Sequence, residues 1–166
     1  TGFCRTGKWF GFEHAGIQPD AVTFAKGMGN GMPVGALWAR KDIASVLQPG
    51  DHGSTYSGTA LATAAVNAVI GEMKRLNAPE LAVRQGARLS KGLLSIPKID
   101  HVRGAGLLLG AQLQDGIVAG DVYKELLEAG LIVNAVNATT LRFAPPLTVS
   151  DAEIDEAVAM VKEVLK

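Results

Sequence analysis

One junction constrains this chain more than any other part of it. The apolar run Val22-Thr23-Phe24-Ala25 ends at Lys26, which opens the stretch Gly27-Met28-Gly29-Asn30-Gly31-Met32-Pro33-Val34-Gly35. A short apolar run followed by closely spaced glycines reads as a buried strand leaving its sheet through a tight turn. The lysine is thereby expected at the rim of a sheet, where α/β enzymes carry their chemistry. An amine partly withdrawn from water loses some preference for its charged form and becomes a nucleophile, as a Schiff-base lysine requires. A surface lysine after a strand is the plain alternative.

The rest of the composition narrows the class. A chain of 166 residues has room for a real core, and 48% hydrophobic with 19% charged residues reads as a soluble globular protein. Sixteen basic and sixteen acidic side chains cancel, which argues against nucleic acid or a membrane surface as a partner. Cys4 is the only cysteine, so no intrachain disulfide can form; a reducing, cytoplasmic setting fits. No His or Asn is placed to make Cys4 a nucleophile, and a small packing residue is expected. The apolar stretch from Ala60 to Ile70 is broken by Thr63 and Asn67 and is too short to span a bilayer.

Periodicity predicts strands over Val22 to Ala25 and Ala36 to Ala39, then a short helix over Lys41 to Leu47. A long helix is expected over Thr59 to Leu76, with Leu61, Ala65, Ala68, Val69 and Met73 on one side. Asn77 and Glu80 read as a capping box for the next helix, with Leu81, Ala82, Leu89, Leu93 and Leu94 facing inward. A strand is expected over Gly106 to Leu113 and a helix over Asp121 to Glu128 that Gly130 ends. Two more strands follow over Leu131 to Val136 and Thr140 to Phe143. A last helix follows, boxed by Ser150 and Glu153 and packed through Ile154, Val158, Val161 and Leu165. This alternation suits a small α/β domain, with a boundary near Lys74 that divides the chain into 1–76 and 77–166.

Several glycine and histidine patterns fail closer inspection. Gly27, Gly29 and Gly31 do not make a dinucleotide fingerprint, because Met32 stands where its last glycine belongs. Gly2 through Lys8 match the spacing of a phosphate loop, but Trp9 follows where Ser or Thr is needed. His14, His52 and His101 are too scattered for a metal site, and none is expected.

The string from Thr23 to Ala36 resembles the lysine signature of the class III aminotransferases, which depend on pyridoxal phosphate. The resemblance extends to Thr1-Gly2-Phe3-Cys4-Arg5-Thr6-Gly7-Lys8, Pro19-Asp20, His52-Gly53-Ser54-Thr55-Tyr56 and Leu141-Arg142-Phe143-Ala144-Pro145-Pro146. These blocks stand in the family's order and cover essentially the whole chain. The resemblance implies an α/β, fold type I transferase, of which this chain holds the final portion of the large domain and the small C-terminal domain. It implies that Lys26 carries the cofactor and shuttles a proton between substrate carbon and cofactor. It also implies that Thr55 contacts the cofactor phosphate of a partner subunit, that Ser54 lies near the substrate, and that Arg142 binds the substrate carboxylate. A guanidinium among apolar neighbours fits that last role; an internal ion pair is the alternative.

By the same resemblance the expected reaction moves the terminal amino group of N-acetylornithine to 2-oxoglutarate in arginine synthesis, in a homodimer with shared sites. Ornithine, succinylornithine, 4-aminobutyrate and diaminopelargonate-type donors stay open, since the resemblance places much of the substrate pocket upstream; Ser57, Thr59 and Ala60, where the family commonly has Gly, Asn and Pro, loosen the donor assignment further. In the family, an Asp-Glu-Val-Gln segment and a phosphate loop precede the Thr-Gly that begins this chain. The chain is therefore expected to be the C-terminal part of a longer enzyme, with apolar surface exposed where the rest packs. A non-catalytic module is the alternative.

Overall fold

A computed structural model describes all residues 1–166. The N-terminal segment forms a loop and a 3₁₀ turn, Gly11–Ala15, before β1 (Ala21–Phe24). This strand pairs antiparallel with β2 (Ala36–Ala39), Phe24 opposite Ala36, across the glycine-rich turn. A single-turn helix α1 (Lys41–Ala44) replaces the longer one expected to Leu47. The long helix α2 spans Ala60–Arg75, but only Ala62 and Met73 are buried, and Leu61, expected inward, is exposed.

The second half is a four-stranded antiparallel sheet, ordered β3-β4-β6-β5, with helices packed on one face. Its elements are α3 (Ala78–Leu94), β3 (Ile99–Ala105), β4 (Leu108–Leu113), α4 (Ala119–Glu128), β5 (Asn134–Ala135), β6 (Thr140–Phe143) and α5 (Asp151–Val164). Leu109, Ala111 and Leu113 of β4 and Leu141 and Phe143 of β6 point into a core shared with α3, α4 and α5. Alternation along β6 leaves Arg142 on the opposite, open face.

Strand β3 escaped the sequence pattern for a physical reason. It is an edge strand whose register shifts between Ile99 and His101, so its apolar residues lose strict alternation. Its place comes from the ladder with β4, not from its own composition. The strand expected over Leu131 to Val136 shrinks to Asn134–Ala135.

Helix α3 starts differently from its expected capping box. Asn77 adopts a left-handed backbone with φ 49°, and its side chain caps nothing. Its carbonyl instead accepts from Leu81 N–H at 3.1 Å. Leu94 faces out, while Gln85 takes a core position and donates to Val149 O at 2.9 Å. The box predicted for α5 forms: Ser150 Oγ accepts from Glu153 N–H at 3.2 Å, and Ser150 N–H donates to the Glu153 carboxylate at 2.7 Å.

The two halves meet through glycine. Gly106, at φ +53°, lies so close to the N-terminal loop that a Cβ there would stand 2.5 Å from Arg5 O and 2.7 Å from Thr6 C. On its other side, a Cβ on Gly86 of α3 would stand 2.0 Å from Gly106 O. Helix, turn and loop thus stack backbone on backbone.

Candidate active site

Lys26 lies two residues beyond the end of β1, after the extended Ala25, and begins a 3₁₀ turn, Lys26–Met28. Its φ is +62°, unusual for a residue with a Cβ. Such strain persists where the surroundings fix it. Here Met28 and Gly29 are buried, and a Cβ on Gly29 would lie 2.3 Å from Met32 O. The anchored turn holds Lys26 outward, beside Gly2. The side chain is exposed in this chain, so the partial desolvation expected of it is not present among these residues. Its Nζ makes no hydrogen bond and no ion pair within the chain.

Lys26 stands between two clefts. One, of about 500 Å³, runs along Thr1–Phe3, Phe10–Phe12 and Val22–Lys26. Its wall is aromatic: the ring of Phe10 lies 5.2 Å from Phe3, 5.4 Å from Phe12 and 5.3 Å from Phe24, centroid to centroid. The other, of about 350 Å³, is lined by Lys26, Gly27, Arg5, Arg142, Leu108, Ala144 and neighbours, without a single Asp or Glu.

Arg142 enters this second cleft from the open face of the sheet. It is paired across β4 with Gly110 and across β5 with Asn134. No carboxylate pairs with it, so the internal ion pair that was the alternative does not form. Its guanidinium, like the Lys26 amine, is free to meet a ligand.

Arg5, marked in the sequence only as part of the block from Thr1 to Lys8, lines the same cleft. Its Nη1 donates to Leu107 O at 3.3 Å and to Pro145 O. Burial pulls its pKa below the ordinary arginine value. No local sequence signal could have found these contacts, because both acceptors are backbone carbonyls far along the chain.

Ser54 and Thr55 lie elsewhere. Neither lines either cleft beside Lys26. Thr55 occupies an exposed turn, and α2 begins only at Ala60. The helix is capped by Thr59, whose Oγ1 accepts from Ala62 N–H at 3.4 Å. Ser54 Oγ accepts from Tyr56 N–H at 3.4 Å. Every residue from Lys41 to Leu61 is exposed, including the apolar Val46, Leu47 and Tyr56.

Cys4 is fully buried against Met73 and Ala78, as a packing residue would be. Burial, then the charge of Glu13, pushes its pKa up to about 11. His14 contacts Thr6 Oγ1 at 3.0 Å and takes no part in the clefts.

The aminotransferase class-III family profile matches residues 1–165. The chain belongs to the class-III aminotransferases. It is 43% identical over 171 aligned positions to the acetylornithine aminotransferase of Caldanaerobacter subterraneus, covering 99% of this chain and 42% of that protein. It is also 43% identical to the acetylornithine aminotransferase of Bacillus subtilis, again covering 99% of this chain and 43% of the relative. Its fold superposes with a TM-score of 0.90 on the ornithine aminotransferase of Toxoplasma gondii, at 32% identity, covering 99% of this chain and 41% of that one. The active site of that protein holds pyridoxal phosphate at partial occupancy. The architecture is α/β and that of the fold type I aminotransferases. The chain spans about two fifths of the length of the relatives it matches. No helix is long and apolar enough to cross a membrane.

Proposed function

We propose that this chain supplies the lysine and one carboxylate anchor of a pyridoxal-phosphate aminotransferase. The enzyme moves the terminal amino group of N-acetylornithine to 2-oxoglutarate, in the cytoplasm and in the service of arginine synthesis. One observation carries the reading: Lys26 and Arg142, neither engaged within the chain, line one cleft without an acidic residue.

The donor set fits the cofactor in part. A primary amine at Lys26, free of ion pairs, suits an aldehyde carbon. The cofactor, when bound, supplies that aldehyde and a ring that takes up electrons released at the substrate carbon. Lys26 Nζ would hold the group and, once displaced by the substrate amine, would accept a proton from the substrate carbon and deliver it to the cofactor carbon that bears the amine. Arg142 binds a carboxylate with two parallel N–H donors and so fixes which substrate atom faces Nζ.

Ser54 and Thr55 serve the substrate and cofactor phosphate from a partner copy, in a homodimer. Their distance from the Lys26 clefts and the exposure of all residues 41–61 support this reading. Residues 1–76 act as the last portion of the large domain and 77–166 as the small one. The lone buried thiol of Cys4 suits a reducing compartment.

The test is to purify the complete enzyme with pyridoxal phosphate and measure amino transfer from N-acetylornithine, ornithine and 4-aminobutyrate to 2-oxoglutarate. The highest kcat/KM is expected with N-acetylornithine. Preference for ornithine would move the assignment toward the structural relatives, and preference for 4-aminobutyrate would overturn the donor.

A further inference from the structure

We infer that Arg5 is a positioning residue that sets where Arg142 presents its guanidinium relative to Lys26. This rests on the reading of Arg142 as a carboxylate anchor and goes beyond it, because Arg5 acts through the backbone that carries Arg142.

Three contacts make the case. The carbonyl of Arg5 accepts from Leu107 N–H at 2.9 Å. Its side chain returns across the same turn, Nη1 donating to Leu107 O at 3.3 Å, and reaches Pro145 O. Leu107 leads into β4, the strand that pairs Gly110 with Arg142. Pro145 follows β6, the strand that carries Arg142. One residue therefore ties the loop beside Lys26 to both strands that hold Arg142.

The chemistry of the tie is specific. Arg5 has no carboxylate partner; two main-chain carbonyls are its only side-chain acceptors. A planar guanidinium spans two carbonyls with fixed geometry, which a lysine ammonium on a flexible stem does not reproduce. Proline at position 145 has no N–H of its own to make a competing ladder bond. The adjacent Gly106, with φ +53° and no room for a Cβ, brings the Leu107 turn close enough for the tie. On the other side of Arg5, Gly2 lies against the Lys26 side chain, 3.8 Å from its Cβ to where a glycine Cβ would stand. A shift of Arg5 is thus felt at both ends of the cleft.

The experiment is a double-mutant cycle in the complete enzyme loaded with pyridoxal phosphate, with the unreactive dicarboxylate glutarate as the probe and calorimetry as the readout. Arg142→Met is expected to weaken glutarate binding about 100-fold, to an affinity that glutarate at high concentration still reports. Arg5→Met is expected to weaken it about 10-fold, since small displacements of a positioned group cost that much or more. In the double variant the Arg5 change is expected to add less than about 2-fold, the non-additivity of residues acting through one another. Arg5→Lys, which keeps charge and stem, is expected to weaken binding nearly as much as Arg5→Met. It also serves as the second variant should Arg5→Met fail to fold. Full additivity, or unchanged affinity in both Arg5 variants, would overturn the inference. Unchanged affinity in Arg142→Met would instead overturn the assignment of Arg142.

Discussion

Lys26 and Arg142 line one cleft, although Lys26 lies in the turn between the strands of the two-stranded sheet and Arg142 belongs to the four-stranded one. Neither is neutralised by a carboxylate of the chain. A nucleophile and an anion anchor facing the same space are the minimum needed to hold an amino acid with its reacting atom at a fixed place. Substituting Arg142 by Lys keeps the charge but loses the two-donor fork. The KM for 2-oxoglutarate should rise by about one to two orders of magnitude with a smaller change in kcat. Steady-state kinetics of the complete enzyme give the numbers; an unchanged KM would remove Arg142 from the site.

Gly106→Ala should destabilise the protein by about 2–4 kcal/mol, from left-handed backbone strain plus overpacking against immovable main chain. The colliding atoms, Arg5 O and Thr6 C, are backbone and cannot swing away. Gly116 offers the control, because its φ is +85° but nothing lies within 4 Å of an added Cβ. Gly116→Ala should cost only about 1 kcal/mol, the backbone strain alone. Equal shifts of the urea midpoint in the two variants would contradict the close packing of loop on turn.

Some of this was legible in the sequence and some was not. β1, β2, β6 and the capped α5 announce themselves, because their signals are local: an apolar run, an alternation, a Ser and a Glu three residues apart. Lys26 was legible for the same reason, its strand and its glycines being neighbours in the chain. β3 was not, since an edge strand with a register shift carries too few apolar residues to show a period. Asn77 misled because its side chain suits a cap while its backbone takes the left-handed form, and only the backbone is used. Arg5 was invisible as a tie because a carbonyl acceptor leaves no mark on residue type.

Glu153 should make part of the stability pH-dependent. The Ser150 backbone N–H, then its hydroxyl, hold this carboxyl below its ordinary pKa. A group depressed in the folded state stabilises the fold above its unfolded pKa and loses that contribution as pH falls through the folded value. The stability advantage of the native protein over Glu153→Gln should therefore be full near neutrality and shrink below about pH 4. Urea titrations of both proteins from pH 7 to acid, run at about one-unit steps, measure it. An advantage that stayed constant would show that the ionised carboxylate adds nothing.

Cys4 should be silent in the native protein. A thiol with no exposed surface and a pKa pushed up to about 11 has almost no thiolate at neutral pH. An aromatic disulfide reagent should react with it only after denaturant opens the packing against Met73 and Ala78. Rapid labelling without denaturant would mean that this small core opens readily.

The central claim is that Lys26 carries the cofactor. The direct measurement is borohydride reduction of the complete enzyme loaded with pyridoxal phosphate, followed by proteolysis and mass mapping of the modified peptide. The account predicts a phosphopyridoxyl group on Lys26 Nζ, in the peptide that runs through Gly27-Met28-Gly29, and its loss in Lys26→Ala. Modification of another lysine in the loaded enzyme, with Lys26 untouched, would contradict it.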